Sequence, residues 1–246
     1  MPSLDPAQWA VALFALFLVG YSKTGVSGAG TVGVALFAMV LPAKLSTGVL
    51  LPLLLVGDAV AVAAYRRHAD WGQLVRLFPW VVVGVLLGVV VVDRVDDTRM
   101  RQLIGVLLLS MLAVHWWSRR RGPDDPVAQH RAVAAGAGVL AGFATMTANA
   151  AGPIMALYLL AVGLPVLGFL GTGAWFFLLL NAFKVPFSAG LGLITPETLA
   201  FGAMASPAVL AGAAAGRATI SRISPKVFER VTVALTLLAA IRLVTL

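Results

Sequence analysis

The chain has 246 residues, of which 60% are hydrophobic and 11% are charged, and its mean hydropathy is +0.96. A soluble domain is about 45–50% apolar and about 25% charged, so this composition excludes a soluble enzyme, a nucleic-acid binder and a disordered chain. We therefore predict an all-α polytopic membrane protein and assign the net charge of +8 to basic loops on the cytoplasmic side. The chain has no Cys, which excludes disulfides and thiolate metal sites.

The hydrophobic residues form ten apolar segments separated by charges, Gly and Pro. A membrane-spanning helix needs about 20 residues, and these segments lack the strict alternation of barrel strands, so we predict helices. The predicted segments are 8–22, 25–41, 44–65, 72–92, 101–117, 132–146, 149–163, 165–188, 197–216 and 227–246.

Four of these segments are short for a span, and they occur as two consecutive pairs. The junction of the first pair lies at 20–31 and that of the second pair at 141–153. Both junctions are rich in Gly and in small hydroxyl or amide side chains, which break helices. We predict broken or re-entrant helices there, and the sequence leaves open whether the short segments span or re-enter.

The two junctions belong to an internal repeat. A shift of 122 positions places Gly20 on Gly142, Ser27 on Asn149 and Gly30 on Gly152. A shift of 123 places Pro42 on Pro165, Gly48 on Gly171 and Asp58 on Asn181. We predict a first transmembrane repeat at 1–120, a cytoplasmic linker at 121–130 and a second repeat at 131–246. Each repeat has five apolar segments, an odd number, so the repeats have inverted topology, as in many secondary transporters.

The distribution of basic residues predicts the orientation. One set of loops carries Lys23, Arg66, Arg67, Arg76, Arg119, Arg120, Arg121, Arg131, Arg217, Arg222, Lys226 and Arg230. The opposite set carries Lys44, Arg94, Arg99, Arg101 and Arg242. The more basic side faces the cytoplasm, so we predict that both termini are periplasmic.

The junctions have the composition of an anion site. Helix N-termini present free N–H groups and partial positive charge, Gly lets the backbone approach a ligand, and small polar side chains add donors. We predict substrate contacts from Lys23, Ser27, Gly28, Gly30, Thr31, Thr147, Asn149 and Gly152. The alternative is close helix packing, because small residues are also enriched at transmembrane helix interfaces.

Two charged residues lie inside apolar segments, where charge is costly and usually functional or paired. Asp58 is deep in segment 44–65. Asn181 is the residue equivalent to Asp58 in the second repeat, and Lys184 lies one helical turn after Asn181. We predict that Asp58 and Lys184 face one another, with Asn181 and Lys184 as substrate contacts and Asp58 as a proton carrier. The alternatives are a structural ion pair and a Lys184 that reaches to the interface.

The chain resembles the TauE/SafE family. The resemblance is carried by the Gly-rich junction, by the helix with Leu51-Pro52-Leu53 and Gly57-Asp58, by the run from Tyr65 to Trp71, and by the degenerate second copy. It implies movement of small sulfur-containing anions across the bacterial inner membrane. This chain has Gly28-Ala29-Gly30 and Ala150-Ala151-Gly152 where many members have a denser glycine run, so the resemblance does not specify the substrate.

The sequence as a whole predicts a secondary transporter for sulfite, thiosulfate or an organosulfonate in the bacterial inner membrane. Its expected partners are the anion, the bilayer and protons, with no nucleic acid and no cofactor or metal; a homodimer stays open. An anion channel, or a non-transporting scaffold, is the alternative. We do not expect an enzyme, because the apolar segments hold no HExxH, no GxSxG and no carboxylate pair. The sequence leaves open which anion is moved, the direction and the proton coupling.

Overall fold

This computed structural model describes residues 4–25, 28–96 and 131–219, together with isolated positions within 98–116 and 234–241. Apart from short turns, these residues are helical and include no strand. The helices are α1 (Pro6–Thr24), α2 (Gly28–Val40), α3 (Ala43–Tyr65), α4 (Trp71–Arg94), α5 (Arg131–Ala148), α6 (Gly152–Val162), α7 (Val166–Gly190) and α8 (Pro196–Thr219), with a 3-10 turn at Arg66–His68 after α3. The all-helical class is confirmed.

Within the described ranges, five helices are long and apolar enough to cross a membrane. They are α3 with its 3-10 turn, α4, α5, α7 and α8. The expectation that all four junction helices are short is wrong for two of them: α1 has 19 residues and α5 has 18, whereas α2 has 13 and α6 has 11. Linker 121–130 lies outside the described residues, as do most of segments 101–117 and 227–246.

Two acidic residues fix the starts of helices. The Asp5 carboxylate accepts a hydrogen bond from the backbone N–H of Gln8 at 2.8 Å, and the Gln8 side-chain oxygen accepts one from the backbone N–H of Asp5 at 3.0 Å. This reciprocal pair is a capping box, and Pro6 occupies the first turn. At α4 the Asp70 carboxylate accepts from the Gln73 N–H at 3.1 Å. Both caps satisfy N–H groups that a helix start leaves without partners.

Among the described helices, two large hydrophobic cores each combine three helices of one sequence half with a fourth helix from the other half, and two smaller clusters accompany them. Helices α1, α2 and α3 share a core with α8, through residues such as Phe37, Leu53 and Val209. Helices α5, α6 and α7 share the other core with α4, through residues such as Phe176 and Val85. The packing units therefore differ from the two sequence halves.

The crossings α1–α8 and α4–α5 use the same glycine contacts. In each crossing, two glycines lie so close to carbonyl oxygens of the partner helix that a Cβ would clash with them. The contacts are Gly20 with Val209 and Gly212 with Phe17 in the first crossing, and Gly142 with Val81 and Gly84 with Val139 in the second. A shift of 122 relates the residues on α1 to those on α5, and a shift of 128 relates those on α4 to those on α8.

The outer faces of α4 and α8 are apolar. Val75 and Met204 are exposed at 72% and 70%, and Leu87 is exposed at 52%. A soluble protein rarely exposes so many large apolar side chains on neighbouring turns. A hydrocarbon environment suits these faces, as it suits the five candidate spans.

Candidate functional site

A partly open cavity lies between the two helix breaks and has a volume of about 70 Å³. One water needs roughly 10–15 Å³ on this measure, so the cavity has room for a small oxyanion or for several waters. Its polar lining includes Ser22, Lys23, Thr31, Asp58, Asn149 and Asn181. The wall is otherwise apolar, with side chains such as Met155 and Phe177.

Both junctions contribute to the wall of this cavity. From the first junction, Gly25 and Gly30 line the cavity, and α2 begins at Gly28. From the second, Asn149 and Gly152 line it, and α6 begins at Gly152. Ser27 lies outside the described residues. The starts of two short helices therefore lie at one cavity, which is the arrangement expected for binding a ligand at broken helices.

An ion pair lies at the wall of the cavity. The Lys23 amine lies 2.6 Å from Asp58 Oδ1, and the two side chains are 9% and 0% exposed. The amine also lies over the Phe177 ring, 4.7 Å from its centroid, a favourable position for a cation. The second carboxylate oxygen, Asp58 Oδ2, accepts a hydrogen bond from Asn181 Nδ2 at 2.6 Å.

Lys23 thus occupies a different place from the one that charge counting gave it. It lies within α1 rather than in a cytoplasmic loop, so it carries no weight in the orientation argument, whose outcome does not change. Asp58 forms its ion pair with Lys23, so the alternative of a structural Asp58–Lys184 ion pair is wrong, but Lys184 lies close enough to Asp58 to interact with it electrostatically. Lysine has a long, flexible side chain. The Lys23 amine on α1 can therefore reach the Asp58 carboxylate as easily as the Lys184 amine on α7 can.

Lys184 is fully buried and holds the end of α5. Its amine donates to the Thr145 carbonyl oxygen at 2.6 Å, to Thr145 Oγ1 at 3.3 Å and to Asn149 Oδ1 at 2.6 Å. Carbonyl groups in the last turn of a helix lack intrahelical partners and attract cations. The alternative in which Lys184 reaches to the interface is therefore wrong.

Asn149 forms the break itself. Its φ of 49° is left-handed, a conformation that Asn tolerates better than most residues. Its Oδ1 accepts from Lys184, and its Nδ2 donates to the Thr47 carbonyl oxygen at 3.0 Å. Both ends of the side chain are therefore bound to other helices, which fixes where α5 ends and α6 begins.

The structure brings most of the predicted site residues to the cavity. Seven lie in its lining, and three described ones do not. The lining residues are Lys23, Gly30, Thr31, Asp58, Asn149, Gly152 and Asn181; the others are Gly28, Thr147 and Lys184. The Thr147 hydroxyl donates to the Phe143 carbonyl oxygen at 2.9 Å, back into its own helix.

The sequence reasoning missed several lining residues, and three of them have polar or aromatic side chains near the ion pair. Thr145 and Ser22 line the cavity, and Phe177 supplies the ring beneath the Lys23 amine. Thr145 could have been found, because the shift of 122 places it on Lys23. Ser22 and Phe177 had no such signal.

The helices and the cavity define a class: a multi-pass helical membrane protein with a charged site between broken helices. The family model for the sulfite exporter TauE/SafE matches residues 12–243, and the chain belongs to this family. The family consists of transporters, which carry a small anionic substrate, and the resemblance stated above is confirmed. No curated protein and no solved structure matches the chain.

Proposed function

We propose that this protein is a secondary transporter that moves sulfite, thiosulfate or an organosulfonate across the inner membrane. The observation that carries the proposal is the Lys23–Asp58 pair at the wall of a cavity between two helix breaks. A largely buried cation beside a cavity can replace part of the water shell of an anion. The flanking starts of α2 and α6 add backbone donors and partial positive charge.

In this proposal the positively charged Lys23 amine binds the anionic substrate, and Asp58 carries the proton. Asp58 holds the Lys23 amine at the cavity wall, and a proton that Asp58 takes up would couple flux to a pH gradient. Export needs no such coupling, since the membrane potential favours outward movement of an anion by about 2.3 kcal/mol per charge per 100 mV. Import would require proton coupling, and a pH gradient would then drive the flux of the anion.

We also propose that the two halves, 1–120 and 131–246, are inverted repeats around an axis in the membrane plane, with both termini periplasmic. Two observations support this. The equivalent residues Asp58 and Asn181, separated by 123 positions, contact each other directly, as they would near an axis relating the halves. The crossings α1–α8 and α5–α4 also repeat the same glycine contacts.

The test is flux of labelled sulfite, thiosulfate and a small sulfonate into proteoliposomes. We expect saturable flux that the double variant Lys23→Met/Asp58→Asn loses by at least about a hundredfold, while its melting temperature stays near that of the wild type. Each single variant leaves an uncompensated buried group, which costs about 3–5 kcal/mol, so the double variant separates transport from folding. Arg94→Met, which removes an exposed positive charge, is the control.

Wild-type flux in the double variant would contradict the role of the pair. Non-saturating flux with large unitary currents would indicate a channel instead of a transporter. No flux of any anion, from a protein that remains folded, would remove transport as the function.

A further inference from the structure

One buried polar atom at the cavity has no partner. Asn181 Nδ2 donates to Asp58 Oδ2, and while Asp58 is ionised its carboxylate can only accept, which gives the amide this orientation. Asn181 Oδ1 is then an acceptor, and it has no hydrogen-bond partner among the described residues. Asn181 is 1% exposed and lines the cavity. Buried acceptors nearly always accept a hydrogen bond. We therefore expect Asn181 Oδ1 to accept one from a donor that enters the cavity.

The charges around Asn181 give a second constraint. In the described part of the chain, the charged side chains around it are the fully buried Asp58 from α3 and Lys184 from its own helix, and the largely buried Lys23 from α1. With both amines protonated and the carboxylate ionised, the cluster carries one net positive charge. Lys184 contacts only neutral groups, namely Thr145 and Asn149, in its hydrogen bonds. Since isolated charge is costly inside a membrane, one negative charge in the cavity balances the cluster and two exceed it.

From these two observations we propose that the preferred substrate is a singly charged oxyanion that also carries a hydrogen-bond donor. Its charged end contacts the Lys23 amine, and its donor binds Asn181 Oδ1. This inference rests on the proposed transport function and narrows its substrate class. A doubly charged anion without a hydrogen, such as sulfate or thiosulfate, leaves Asn181 Oδ1 without a partner and adds a surplus charge.

Two kinds of anion have this chemistry. Hydrogen sulfite, the protonated form of sulfite, is a small inorganic example with one negative charge. A sulfonate with a hydroxyl group is an organic example. They differ in how the donor depends on pH: the hydrogen of hydrogen sulfite is lost as pH rises, whereas the hydroxyl of a sulfonate persists.

The first arm of the experiment compares two sulfonates in wild-type proteoliposomes. Labelled 2-hydroxyethanesulfonate and 1-propanesulfonate have the same number of non-hydrogen atoms and the same single charge, but only the first has a hydroxyl donor. We expect flux of the hydroxyl compound to be about tenfold higher below saturation, the effect of one well-made hydrogen bond. In Asn181→Leu we expect a ratio near one.

The second arm measures labelled sulfite at constant total concentration while the pH is lowered through the range in which sulfite takes up a proton. We expect flux to rise in proportion to hydrogen sulfite. Thiosulfate stays doubly charged over this range, so any change in its flux with pH would come from the protein groups Lys23, Asp58 or Lys184. We expect thiosulfate flux not to follow the curve for hydrogen sulfite. Ser188→Ala, which changes another buried polar residue of α7, is the matched control for Asn181→Leu.

A preference in the first arm alone supports a hydroxyl-bearing sulfonate, and one in the second arm alone supports hydrogen sulfite. Flux that shows neither preference overturns this inference and leaves transport standing. Absence of flux for every anion overturns the transport function, and this inference with it. The wild-type comparisons need no variant, so a misfolded Asn181→Leu would not prevent a decision.

Discussion

Lys23 and Lys184 differ in what surrounds their amines. Lys184 makes three hydrogen bonds to Thr145 and Asn149, which uses every N–H that a lysine offers. Lys23 has one carboxylate partner and an aromatic ring, and it lines the cavity. We infer that Lys184 stabilises the α5–α6 break while Lys23 serves the ligand.

Replacing Lys184 should therefore affect stability first. Lys184→Met leaves Asn149 Oδ1 and the Thr145 groups without their donor, and we expect a loss of about 2–4 kcal/mol, read as a lower melting temperature in detergent. Adding Asn149→Gly removes the stranded oxygen and keeps a residue that tolerates a positive φ, so the double variant should regain part of the loss. A Lys184→Met protein that melts like the wild type would contradict this role.

The sequence predicts which residues meet at the site better than it predicts their partners. The depth of the charges and the internal repeat point to Asp58, Asn181 and Lys184, and all three are buried. The partner of Asp58 could not be predicted, because Lys23 and Lys184 both reach the same region on flexible stems. The choice depends on the crossing of α1 with α3, which no local pattern encodes.

At the scale of helices, small residues set how closely the segments approach. Gly142 lies against the backbone of Val81, where a Cβ would overlap the carbonyl oxygen. The whole helix would have to move to admit even one methyl group, because backbone cannot rotate away as a side chain can.

The same helix offers a matched pair of substitutions. Gly142→Ala should lower the melting temperature by several degrees, since overpacking costs about 1–3 kcal/mol. Gly136→Ala has nothing within 4 Å of the new methyl group, and it should leave stability unchanged or raise it by about 0.5–1 kcal/mol through helix propensity. Thermal melts of the two purified variants test this; equal melting temperatures would show that the crossing has room to spare.

Helix positions follow from the sequence within a few residues. Segment 44–65 corresponds to Ala43–Tyr65 and segment 72–92 to Trp71–Arg94, because charges and caps mark their ends. The junction helices are less accurately predicted. Segment 149–163 begins at Gly152 in the structure, since the left-handed Asn149 and its hydrogen bonds delay the new helix, and such long-range bonds leave no local signal.

At the scale of the whole molecule, the inverted repeat predicts that equivalent turns lie on opposite sides of the membrane. The chain has no Cys, so single cysteines can report the side without background. We expect His68→Cys, in the turn after α3, to react with an impermeant thiol reagent only from the cytoplasmic side. Glu197→Cys, at the equivalent start of α8, should react only from the periplasmic side.

Both positions are exposed in the structure, so failure to react from either side would mean occlusion by lipid and would be resolved by labelling after detergent is added. Reaction of both cysteines from the same side would contradict the inverted arrangement. Reaction of both from the reversed sides would retain the inversion and overturn the orientation that the basic loops predict.

The exchange of α4 and α8 between the cores has a consequence for biogenesis. Helix α1 can pack against α8 only after most of the chain has been synthesised. The core that α1, α2 and α3 share with α8 therefore stays open to lipid during most of translation. Lys23 and Asp58, however, both lie within the first three helices and can neutralise each other as soon as α3 has been inserted. Because an isolated charge at the membrane centre costs about 2.5–3.5 kcal/mol to insert, we expect the ion pair to lower the cost of inserting the first three helices before α8 is synthesised.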